Sequence, residues 1–62
     1  MYSKLMIVRK ERKLTQSQLA KILNISEGAY FRKENRKVDF TLTEAVTLAS
    51  YFDTTLDDLF GV

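Results

Sequence analysis

Apolar residues recur along this chain at spacings of three and four, interrupted by short polar intervals. That period belongs to amphipathic helices, and no stretch alternates in the two-residue period of a half-buried strand. Leu5 and Val8 share one face of a first helix over 2–12, flanked by Tyr2, Met6 and Arg12. Leu19, Ala20, Ile22 and Leu23 form the apolar face of a second helix over 16–23. A third helix is expected over 27–35. A fourth over 42–52 carries Leu42, Ala45, Ala49 and Phe52 at helical spacing with Leu48 beside them, and a short fifth covers 56–60.

The intervals between these stripes contain the signals that start and stop helices. Thr15 is a good N-cap, and Gln18 three residues on completes a capping box, with Leu14 and Leu19 placed for a hydrophobic staple. Thr41 and Glu44 repeat the box before the fourth helix, and Thr55 with Asp58 resembles a third cap. Asn24 suits the left-handed stop of the second helix, Ile25 pins the turn, and Ser26 caps the third with Glu27 in its first turn. Two short helices joined by a tight turn over about 16–35 make a helix-turn-helix, whose second helix is able to enter a DNA major groove. The fold class expected is all-α, one compact five-helix domain over 1–62.

Composition narrows the functional classes. With no cysteine and no histidine, a disulfide is absent and a metal site is not expected. The same absence, with no glycine-rich phosphate loop and no nucleophile–base set, argues against an enzyme and against a cofactor. Asp57 and Asp58 are adjacent on a helix, so they point apart and read as a solvated acidic end. No apolar run reaches membrane-spanning length, so a soluble intracellular protein is expected. The net charge of +2 conceals a split: residues 1–37 hold all ten Lys and Arg against three acids, and residues 38–62 hold five acids and no base. A basic half suits a polyanion, although a solvated basic helix end would carry the same charges.

The segments RKERKLTQSQLAKIL, NIS, KEN and TLDDLF together resemble the phage-repressor/Cro family of helix-turn-helix proteins, often called the XRE family. The likeness runs from Leu5 to Phe60 and implies a lambda-repressor-like DNA-binding domain, encoded by a bacterium or a phage. It implies that Gln16 holds a DNA phosphate and that Ala20 lets two helices approach closely. It implies that Arg9 and Glu34 form a partly buried ion pair, and that Asn35 touches the phosphate backbone. Glu27, Gly28, Phe31 and Arg32 fall on its groove-facing positions. Ser26, Arg36 and Lys37 are further expected phosphate contacts. Lys13, Asn24 and Arg36 stand where the family often has glycine. Tyr30 and Lys33 stand at positions commonly aliphatic or apolar. The expectation is that Tyr30 packs in the core with its hydroxyl reaching the edge, and that Lys33 buries its stem with its amine in water. Phe31 is open: it packs at the core edge or meets a thymine methyl.

The resulting expectation is a sequence-specific transcriptional regulator, a repressor or Cro-like switch, reading double-stranded DNA with helix 27–35. A homodimer on a near-palindromic operator is expected, with Phe60 and Val62 at the candidate dimer surface. The alternative is a protein-interaction module of the same fold, such as an antitoxin acting mainly through a protein partner.

Overall fold

The computed structural model describes residues 2–61. It contains five helices: α1 Ser3–Glu11, α2 Gln16–Leu23, α3 Glu27–Glu34, α4 Leu42–Tyr51 and α5 Leu56–Phe60, with no strand among the described residues. These bounds agree with the sequence pattern to within one residue at each end.

The helix ends show why the chain breaks where it does. The Thr15 hydroxyl accepts from Gln18 N at 3.1 Å while Gln18 Oε1 accepts from Thr15 N at 2.7 Å. Thr41 and Glu44 reproduce this reciprocal pair at 3.1 and 2.9 Å. Ser26 and Thr55 each cap with the hydroxyl alone, accepting from Ala29 N and Asp58 N. Each bond satisfies an amide that the first helical turn leaves without a partner. After the helices the chain reverses through left-handed residues: Lys13, Asn24, Arg36 and Asp53 have φ between 56° and 64°. Three of these are the positions where the sequence departs from glycine. Asn and Asp tolerate this conformation, whereas Lys and Arg are held there against an intrinsic steric cost.

The core consists of Leu5, Leu19, Ala20, Tyr30, Leu48, Ala49, Phe52 and Leu59, to which every helix contributes. Ala20 is buried on α2, which packs extensively against α3. An aromatic group closes the other end. Tyr2, Phe40 and Phe60 contact one another with ring centroids 5.2–5.8 Å apart, and Tyr30 meets Phe40 at 5.9 Å. This group fastens the Arg36–Phe40 loop and α5 to the start of α1.

Three expectations require correction. Leu42, aligned by helical spacing with buried Ala49, is 73% exposed. It is the first residue of α4, beyond the point where that face meets the core. The Lys33 amine is not in water: Nζ lies 2.6 and 2.8 Å from the two carboxylate oxygens of Glu44, tying α3 to α4. The Tyr30 hydroxyl does not reach the edge either. The whole residue is buried, and the hydroxyl donates inward to Glu34 Oε2 at 2.8 Å.

Candidate nucleic-acid interface

α3 has two chemically different faces. Tyr30 and Glu34, four residues apart, point into the protein. Glu27, Gly28, Phe31 and Arg32 are exposed. Phe31, at 47% exposure, therefore stands outside the core rather than at its edge.

The inward face is fixed by a polar network. Glu34 is 2% exposed and Arg9 8%. Arg9 Nε donates to Glu34 Oε2 at 3.0 Å and Nη2 to Oε1 at 3.2 Å, a two-pronged pair between residues 25 apart in sequence. Arg9 Nη1 also donates to the Leu14 carbonyl at 3.0 Å, and Gln16 Nε2 donates to Glu34 Oε1 at 3.0 Å. With the Tyr30 hydroxyl, each carboxylate oxygen of Glu34 accepts two bonds, which saturates an acceptor-only group. Burial pushes the Glu34 pKa up, but the donors from Arg9, Gln16 and Tyr30 outweigh it and hold the carboxyl below its ordinary value. Tyr30 moves the opposite way. Burial, then its bond to Glu34, raises its pKa well above the usual phenol range.

Above this network lies an open cleft of about 520 Å³ between α1, α2 and α3. Met6, Lys10, Gln16, Glu27, Phe31 and Asn35 are among the residues lining it. Two of the expected phosphate contacts, Gln16 and Asn35, thus meet in one cleft with two of the expected base-contact residues. Asn35 Nδ2 donates to the Phe31 carbonyl at 2.9 Å. Lys10 of α1 joins them. Its position four residues after Met6 on α1 becomes informative only once α1 is seen beside α3.

The remaining expected contacts are placed differently. The Ser26 hydroxyl caps α3 by accepting from Ala29 N, which leaves its own O–H as a donor. Lys37 is exposed just beyond α3. The Arg36 guanidinium lies over the Tyr2 ring, 4.4 Å from its centroid, and lines an apolar groove with Phe40, Leu42 and Phe60 instead of the cleft. Phe60, expected at a dimer surface, is half-buried in the aromatic group. Val62 lies outside the described residues. Arg12 was assigned no partner from sequence, yet its Nη2 donates to the Phe52 carbonyl at 3.2 Å at the end of α4.

The helix-turn-helix family model matches residues 5–59, most of the chain. The chain belongs to the XRE-type helix-turn-helix family. Membership makes it a member of a family of DNA-binding transcription regulators, with double-stranded DNA as the partner class. No curated protein matches the sequence. Within this helix-turn-helix domain, no helix among the described residues is long and apolar enough to cross a membrane.

Gly28 offers a direct check on the exposed face. A Cβ there would meet Arg32 Nη1 at 3.5 Å, an ordinary contact with the end of a flexible side chain. Gly28→Ala should therefore raise stability, by up to about 1 kcal/mol, because alanine is the better helix former. Thermal denaturation measures this. A lower melting temperature would show a crowding that the geometry does not contain.

Proposed function

We propose that this domain is a sequence-specific repressor or Cro-like switch that binds double-stranded DNA with α3 in the major groove. The observation that carries the reading is the division of α3. Tyr30 and Glu34 lock one face to the protein, leaving Glu27, Gly28, Phe31 and Arg32 free along the other. Arg32 and Phe31 supply base-edge chemistry, a guanine-matching fork and an apolar contact for thymine. Gln16, Asn35 and Lys37 hold the flanking phosphates. Phosphate contacts fix register without reading sequence, so the two sets divide the work. The setting is the cytoplasm of a bacterium or of a phage-infected cell.

A domain this small covers a short site, so a homodimer on a near-palindrome extends both area and specificity, with half-sites roughly 34 Å apart. The acidic end bearing Phe60 is the surface left for pairing when the basic side faces DNA. A second reading, an interaction module acting mainly through a protein partner, is favoured by one feature at that end. The apolar groove of about 350 Å³ lined by Tyr2, Phe40, Leu42, Ala45, Leu56 and Phe60 is open, with Leu42 at its rim.

Gel-shift titrations across a salt series separate the readings. DNA binding predicts that log affinity falls linearly with log salt, and that Lys37→Ala lowers the slope by roughly one unit for one lost phosphate contact. An unchanged slope would place Lys37 in solvent. Absence of binding to any duplex would favour the interaction module.

A further inference from the structure

Both side-chain amides lining the cleft are already held by acceptors inside the protein. Gln16 Nε2 uses one hydrogen on Glu34 Oε1, and Asn35 Nδ2 uses one on the Phe31 carbonyl. A primary amide has two N–H donors and one carbonyl acceptor, and its two ends are nearly equal in shape. Which way round the amide sits is therefore decided by the group that holds it, and an acceptor that takes one N–H fixes the direction of the second. Glu34 decides it for Gln16. An ionised carboxylate only accepts, so turning the Gln16 carbonyl toward it would set two lone-pair oxygens about 3 Å apart. Glu34 is itself immobilised by Arg9 and Tyr30, so it cannot swing away to accommodate the reversed amide.

We propose that Glu34 is a positioning residue for nucleic-acid binding: it sets the Gln16 amide so that the second Nε2 hydrogen, not the carbonyl, is offered to one backbone phosphate of duplex DNA. The inference deepens the DNA-binding reading above and rests on it. Asn35 acts alongside through the same arrangement, with the Phe31 carbonyl as its anchor. Lys10 adds a charge at the same cleft, and the Glu27 carboxylate excludes an anion from its own end. The Arg9–Glu34 pair thereby has a role beyond joining α1 to α3. A carboxylate buried beneath an anion site is unfavourable unless its charge is matched, and Arg9 matches it. Tyr30 contributes the fourth bond to that carboxylate, which an aliphatic residue at its position would not supply.

The test begins with NMR of the Gln16 side-chain amide in the free wild-type domain. A scalar coupling from Nε2 to the Glu34 carboxyl carbon is expected, through one of the two hydrogens. On adding a short duplex selected by the protein from random DNA, the other hydrogen should shift. Duplexes carrying a single neutral methylphosphonate then locate the phosphate. Neutralising one phosphate per half-site should weaken wild type roughly tenfold, the scale of a charge-assisted bond. Gln16→Ala should be nearly indifferent to the same replacement. Folded Glu34→Gln, whose amide presents either end to Gln16, should lose most of that selectivity while keeping its response to other phosphates. If Glu34→Gln does not fold, the wild-type couplings and the Gln16→Ala comparison still decide. The proposal is overturned if the hydrogen facing Glu34 is the one that shifts, if neither shifts, or if Gln16→Ala keeps full sensitivity to every phosphate. A domain that shows the free-state coupling yet binds no duplex overturns the DNA reading and the phosphate half of this inference with it.

Discussion

Glu34→Ala should remove most of the stability of this domain. Deleting the carboxylate leaves the Arg9 guanidinium buried without its counter-charge and the Tyr30 hydroxyl buried without its acceptor. Breaking one side of a buried pair costs about 3–5 kcal/mol. Small domains are stable by only ~0.05–0.15 kcal/mol per residue, so the loss is comparable with the whole. Thermal unfolding followed by circular dichroism should show the midpoint lowered by about 15 °C or more, or no cooperative transition. A shift of only a few degrees would mean that the network is solvated. Acid should act on the same group. Because the folded Glu34 has a depressed pKa, the stability it confers is complete above the unfolded carboxyl value of about 4.3. That stability is lost as pH falls through the lower folded value. Glu44 is shifted the same way: its own burial raises its pKa, but the Lys33 amine and the Thr41 backbone bond outweigh it. The two should together give acid unfolding below about pH 4.

The parts of this fold that depend on neighbours in sequence were open to direct reading. Thr15 with Gln18, Ser26, Thr41 with Glu44, and Thr55 each meet their partner three residues away, so the cap is written in the chain itself. The stripes that bury Leu5, Leu19, Leu48 and Leu59 are local for the same reason. What crosses between helices was less accessible. Arg9 and Glu34 were paired only through family resemblance, since nothing in the residues between them joins the two. Lys33 found Glu44, a residue already assigned to a cap, because a carboxylate that accepts from Thr41 N retains lone pairs for a second donor. Tyr30 was seen as core, but its hydroxyl partner lies one helical turn along α3 and becomes buried only when α1 closes over it. Leu42 lies outside the core because it stands at the very start of α4, and the placing of the Arg36 guanidinium over the Tyr2 ring depends on a contact across 34 residues of sequence that no local pattern carries.

Arg32→Ala should cost about 1–3 kcal/mol of binding free energy on the preferred site and relax the base preference at one position of each half-site. Its guanidinium reaches back to within contact range of the Gly28 position, on the exposed face of α3. A planar fork carried there matches the O6 and N7 acceptors of guanine. Arg32→Lys should restore the charge but not the two-pronged geometry, and so recover affinity for all sequences without recovering the preference. Measuring affinity for all four bases at each position, for wild type and both variants, checks this. A uniform loss would reassign Arg32 to the phosphates, and no loss would place it off the interface.

Under the proposed function, α3 reads base edges while the cleft beside it holds the backbone. Selection from random-sequence duplex DNA, run in parallel with wild type and Arg32→Ala, tests it most directly. Wild type should enrich a near-palindrome whose half-sites lie one helical turn apart, with a guanine in each that Arg32→Ala no longer demands. Pools that stay random with wild type, or an identical motif from both proteins, would contradict it.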